Sequence, residues 1–202
     1  SVASRMVNDG MAEWVGHNPD RFAGLGTVPL QDPNEAAIEL ERAMGLGLKG
    51  VMLLTNMDSE EISADRFRQF WKKAEDLGAV VMIHPNGFTE GARFSEYYFQ
   101  NVIGNPLETT TALHYIIFNG LLRDMPDLKI FAVHGGGYLP SYSGRIDHAW
   151  GARKDCEVDL PEPPSNYLKK IWIDSVVFTN HQLEYLVKQY GADKVIMGSD
   201  YP

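Results

Sequence analysis

The sequence predicts an α/β fold built on a parallel sheet. Short apolar runs alternate with helix-patterned segments along the 202 residues. Those runs are continuously apolar rather than alternating, as expected for strands buried on both faces. Three of them lead into a histidine or an aspartate (His84, His134, Asp200). Strands alternating with helices imply parallel pairing through right-handed crossovers. A doubly wound sheet and a (β/α)8 barrel share that rhythm. The run Gly135-Gly136-Gly137 lacks the spacing of a dinucleotide-binding fingerprint.

The elements follow in order. A helix spans Arg5 to Val15. Phe22 to Pro29 reads as a short strand. Asp32-Pro33 opens the next helix, because an acidic residue before a proline at the first helical position is a start signal. Its apolar residues Ala36, Ala37, Leu40, Ala43 and Met44 fall at helical spacing, and Gly45 and Gly47 stop it. Lys49 to Thr55 is a buried strand. Ala64 to Leu77 is a helix with Phe67, Phe70, Trp71 and Ala74 on one face and Gly78 as its cap. Ala79 to His84 is a strand. Pro85 to Pro106 is too long for a simple connection and predicts a functional loop with helical pieces. Glu108 to Leu122 is a helix, Leu128 to His134 and Ile171 to Val177 are strands, His181 to Tyr190 is a helix, and Lys194 to Gly198 is the last strand. The whole chain, 1–202, reads as one domain.

Composition excludes several function classes. The apolar fraction is 44% and the charged fraction 22%, ordinary for a globular domain. A net charge of -9 repels phosphates, which argues against a nucleic-acid or anionic-membrane partner. The single cysteine, Cys156, excludes an internal disulfide framework and fits a cytoplasmic setting. It lies in a charged stretch without a partner base and reads as a surface thiol. No apolar run approaches the roughly 20 residues that span a bilayer.

The chemistry resides at three strand ends. His84, His134 and Asp200 each follow an apolar strand. In a barrel such positions share the C-terminal face, where active sites form. Two imidazoles and a carboxylate are the donors preferred by zinc and similar first-row metals. A lone histidine after a strand is more often a hydrogen-bonded core residue. Three together favour a metal, because a buried ionised aspartate needs a counter-charge. Arg145 presents a guanidinium suited to a carboxylate, with an ion pair to Asp147 as the plainer alternative. His148 follows one helical turn later. Glu108 to Thr111 begins a helix and reads as capping.

The runs FAGLGTVPLQDPNEAAIELERAM, IHPNG, GNPLETTTAL, HGGGYLPSYSGRIDH and GSDYP resemble the amidohydrolase-2 branch of the amidohydrolase superfamily. That branch holds aminocarboxymuconate-semialdehyde decarboxylase-like and γ-resorcylate-type decarboxylases and some hydratases. The resemblance covers essentially the whole chain. It implies a (β/α)8 barrel, here incomplete and spanning about strands three to eight. It also implies one divalent metal, zinc or manganese. The open parallel edges of an incomplete barrel need cover, by a second chain or by further polypeptide, and a homo-oligomer such as a dimer is expected. His84 and Asp200 match metal ligands, His134 matches the acid/base histidine, and Arg145 matches the arginine that binds a substrate carboxylate. The implied reaction is decarboxylation of a small unsaturated or aromatic acid. A divalent metal lowers the pKa of nearby water to about 7, and a histidine beside it can take or return the proton.

The chain also departs from the family pattern. No His-x-His pair occurs in it, and the first two barrel strands are expected before Ser1. Asn101 stands where the family carries an aromatic residue. Hydrolase or hydratase chemistry on the same site, or a non-catalytic piece lacking those ligands, are the alternatives.

Overall fold

A computed structural model describes residues 1–201. Helix α1 (Val2–Gly16) is capped by the Ser1 hydroxyl, which accepts from the Ser4 amide at 3.2 Å. Helix α2 (Pro33–Gly45) is capped by Asp32, whose carboxylate accepts from the amides of Asn34 and Glu35 at 3.0 and 3.2 Å. Strand β1 (Gly50–Leu53) follows, then a small antiparallel hairpin of β2 (Asn56–Met57) and β3 (Glu60–Glu61) that the sequence pattern did not announce. A 3₁₀ turn at Asp65–Phe67 leads into α3 (Arg68–Asp76), which buries Phe70, Trp71 and Ala74.

Strand β4 (Val80–Ile83) comes next. The long connection after it carries a 3₁₀ turn at Ala92–Phe94 and a π-helical turn at Gln100–Gly104. The helix expected over 108–122 is divided. Helix α4 (Asn105–Phe118) ends at Asn119, Gly120 takes φ +72°, and a short α5 (Leu121–Asp124) follows. The apolar pair Leu121-Leu122 continues the helical period, which hid the break. Strand β5 (Lys129–Ala132) leads into α6 (Leu139–Ala152), then α7 (Pro164–Leu168), β6 (Trp172–Asp174), α8 (Asn180–Tyr190) and β7 (Val195–Ile196).

The sheet order decides between the two architectures. The strands run β1-β4-β5-β6-β7, every neighbouring pair parallel. A doubly wound sheet reverses its order at a switch point, and this one never does. The sheet is therefore an arc of a (β/α) barrel. Its core is one continuous cluster in which Val51, Phe67, Phe70, Trp71, Val81, Ile116 and Ile130 are fully buried.

The segment read as a strand over 22–29 is reduced to a single parallel bridge, Gly26 to Val51. It still lies along β1, with Gly26 and Met52 exchanging amide bonds with Gly50 and Gly26 at 2.8 and 2.9 Å. On its outer side the Asn8 side chain pairs with both the amide and the carbonyl of Thr27, at 2.7 and 2.9 Å. That side chain satisfies backbone groups that a further strand would otherwise pair.

Candidate metal centre

All the strand ends that matter lie at one end of the sheet. His84 follows β4, His134 follows β5 and Asp200 lies just beyond β7. His84 Nε2 is 3.6 Å from Asp200 Oδ1, and His134 Nε2 is 3.8 Å from Asp200 Oδ2. The two imidazole centroids are 5.3 Å apart, and one ligand atom from each of the three residues lies within 4.8 Å of the others.

The donor set fits a single divalent ion. Two ligand atoms bonded tetrahedrally at about 2.1 Å stand roughly 3.4 Å apart, close to the separations found. His84 Nδ1 is 2.7 Å from the Pro85 carbonyl oxygen. The carbonyl can only accept, so Nδ1 carries a proton there, and Nε2 is the nitrogen turned toward Asp200. His134 Nδ1 is buried and has no hydrogen-bond partner among the described residues.

Electrostatics sets the charge of His134. Burial pushes its pKa below the usual histidine value. The Asp174 carboxylate opposes that shift, His84 adds to it, and Asp200 opposes it. The net direction favours a neutral imidazole.

Backbone conformation aims both flanking residues. His134 and Asp200 adopt φ of 56° and 53°. Such left-handed conformations are uncommon outside glycine and cluster at functional sites. Gly135, Gly136 and Gly137 continue the left-handed run at φ 62°, 77° and 68°. At Gly137 a Cβ would collide with the Pro106 carbonyl and the Thr110 hydroxyl, so the turn packs directly on the start of α4.

A cavity of about 420 Å³ opens beside His134 and Asp200. Its wall includes Asn101, Asn105, Tyr138, Ser141, Phe178 and Gln182. Asn101, the position where an aromatic residue was expected, thus faces the same space as the metal-type donors.

Arg145 lies elsewhere. It is exposed on α6 and lines a separate apolar cavity between α4 and α6 that meets the first at Tyr138. It forms no ion pair among the described residues. Asp147 accepts instead from the amide and hydroxyl of Ser165 at 2.9 and 2.6 Å. His148 is exposed, and Cys156 is a half-buried free thiol lining the α4–α6 cavity.

Glu108 is not a cap. Its side chain is buried, and it accepts from Asn56 Nδ2 at 2.6 Å, Thr89 N at 3.0 Å, Thr89 Oγ1 at 3.2 Å and Thr55 Oγ1 at 3.3 Å. It joins the loops after β1 and β4. Thr109, Thr110 and Thr111 donate back along their own helix to Asn105, Pro106 and Leu107.

Sequence reasoning missed Asp174, which ends β6 and is 4% exposed. The signal was a carboxylate inside an apolar run, which has to find a buried partner.

Comparison with known proteins places the chain in a family. The profile of the family described as Amidohydrolase, of the amidohydrolase-2 type, matches residues 3–202. The 2-amino-3-carboxymuconate-6-semialdehyde decarboxylase of Dictyostelium discoideum is 37% identical over 98% of this chain and 56% of its own length. The crystal structure of 5-carboxyvanillate decarboxylase from Sphingomonas paucimobilis superposes with a TM-score of 0.93 at 31% identity, covering 99% of this chain and 62% of that one. The dihydroxybenzoic acid decarboxylase of Polaromonas sp. JS666, solved with bound manganese and the inhibitor 2-nitroresorcinol, gives 0.87 at 27% identity, over 98% and 64%. The chain therefore spans a little over half to about two thirds of the proteins it matches. On the profile match and the sequence identity, the chain belongs to the amidohydrolase family.

Proposed function

We propose that the protein works as a metal-dependent decarboxylase of a small unsaturated or aromatic carboxylic acid. The observation that carries the reading is the convergence of His84, His134 and Asp200 beside a cavity with polar and aromatic walls. The decarboxylase names of its relatives support the reaction class.

In this reading His84 Nε2 and the Asp200 carboxylate hold the ion, zinc or manganese. Manganese has the support of the Polaromonas structure. When bound, the ion supplies a fixed positive charge against a substrate oxygen and makes water acidic. His134 moves a proton at Nε2. Decarboxylation replaces the carbon–CO2 bond with a carbon–hydrogen bond, so one proton must be delivered to that carbon. An imidazole held below its usual pKa gives up a proton readily once charged. Asn101, Asn105 and Gln182 offer hydrogen bonds to hydroxyl or carbonyl substituents.

Arg145 is proposed to bind a substrate carboxylate. Its position on the exposed α4–α6 face, outside its own chain's cavity, supports a dimer in which the guanidinium serves the neighbouring copy. Exposed Tyr115 and Tyr142 on that face favour such an association.

The test is a screen of the manganese- and zinc-loaded protein against carboxylated aromatics and muconates for CO2 release. Lactone and amide hydrolysis is measured in parallel. Hydrolysis without CO2 release rejects the proposal.

A further inference from the structure

We infer that Asp174 is the positioning residue of this centre: it holds His134 in its left-handed conformation and ties the His134 turn to the strand that carries Asp200. The inference rests on the metal-centre reading above and concerns a residue on a strand that supplies none of the three donors.

The contacts are specific. Asp174 Oδ1 accepts from the amide of Gly135, directly after His134, at 2.7 Å, and from the amide of Val176 at 3.1 Å. The Gly135 bond is buried. A carboxylate accepting backbone amides out of water makes stronger bonds than a neutral acceptor. On its other side Asp174 pairs in register with Ile196 of β7. There the backbone of Gly198, two residues before Asp200, packs so closely that a Cβ would lie 3.0 Å from Asp174 Cβ and 3.4 Å from Cγ. One side chain thus bonds the residue after His134 and packs against the segment that leads to Asp200.

The turn needs such a hold. Residues 134–137 all have positive φ, and a histidine there persists only where its surroundings over-determine it. The far end of the turn is fixed by the Tyr138 amide donating to Thr110 Oγ1 at 2.8 Å. The turn's own bonds, Gly136 N to Val133 O and Gly137 N to His134 O, close it internally without aiming it. The Asp174 bond is the side-chain anchor at the histidine end. A residue that merely filled space would not require a buried carboxylate, which is costly to desolvate without partners.

The experiment compares wild type with Asp174→Asn and Asp174→Ala in the whole chain. Three quantities are read: amide exchange at Gly135, the His134 ring resonances at alkaline pH, and Mn²⁺ affinity by calorimetry. Asn keeps an oxygen acceptor at the same place and Ala keeps none. The expected result is graded. Ala speeds Gly135 exchange and moves the His134 ring resonances; by loosening the Gly198 segment that leads to the ligand Asp200 it also weakens Mn²⁺ binding by about 10- to 100-fold, the range for losing a partner that orients a metal ligand. Asn shows a smaller effect on all three, with a melting temperature near that of wild type. If Ala does not fold, Asn against wild type decides. Unchanged Gly135 exchange and unchanged His134 resonances overturn the proposal, and so does faster exchange with unaltered Mn²⁺ affinity. If wild type binds no Mn²⁺, the metal reading fails by itself. The exchange and ring-resonance measurements then decide the role of Asp174 alone.

Discussion

His84 Nε2 stands 3.6 Å from Asp200 Oδ1, although 116 residues separate them in sequence (200 − 84). The Pro85 carbonyl accepts from His84 Nδ1 at 2.7 Å, which turns Nε2 toward Asp200. In the proposed reading, replacing either residue with alanine removes one ligand of a small set. The expected outcome for His84→Ala and Asp200→Ala is protein that retains little or no zinc or manganese after dialysis, measured by elemental analysis. His134→Ala is expected to keep its metal while lowering kcat by roughly 10²–10⁴, the range for losing a general acid/base. A metal-free His134→Ala would instead make His134 a ligand.

Acid should weaken the metal-free fold through His134. Its folded pKa lies below the unfolded value of about 6.5. As pH falls, the unfolded chain takes up this proton first, so in that window stability rises with pH. The contribution is fully present above the unfolded pKa and is lost as pH falls through the folded one. Denaturant midpoints between about pH 5 and 8 should show a steeper acid loss for wild type than for His134→Gln, which cannot titrate. Matching slopes would remove His134 as the source.

Much of this was readable in the sequence, for a physical reason. A strand buried on both faces is continuously apolar, so the polar residue that ends it stands out. His84, His134 and Asp200 were found that way. Asp174 sits inside the run WIDSVV and carried no such punctuation. Helix α6 was hidden because Pro140, Ser141, Ser143 and Gly144 blur its period. The 22–29 segment had a strand's composition, but Asn8, distant in sequence, pairs with its outer edge. The position of Arg145 was equally unreadable, because it depends on how α6 packs against α4.

Glu108 should matter for shape rather than chemistry. Its carboxylate satisfies donors from Thr55, Asn56 and Thr89 in two different loops. Glu108→Leu strands the buried Thr55 hydroxyl, at a cost of about 1–3 kcal/mol, and removes an acceptor from half-buried Asn56 and exposed Thr89. The expected outcome is a lower thermal midpoint together with faster proteolysis in the loop after β4. An unchanged midpoint would mean that water replaces the carboxylate without loss.

Arg145 gives the sharpest test of assembly. Its guanidinium lies outside the cavity that holds His134 and Asp200 in the same chain. If it binds a substrate carboxylate, Arg145→Ala raises KM far more than it lowers kcat. Arg145→Lys restores little, because an ammonium cannot reproduce the two-pronged contact. If the carboxylate belongs to the neighbouring copy's substrate, the two variants should complement when assayed at substrate well below the wild-type KM. In a two-fold dimer of His134→Ala with Arg145→Ala, one site carries both defects and the other carries neither. Random mixing makes half the dimers mixed, each with one sound site out of two, so activity should return to about a quarter of wild type. Each variant alone stays near its own floor. A mixture that never exceeds the average of its two components would show that Arg145 acts within its own chain or not at all.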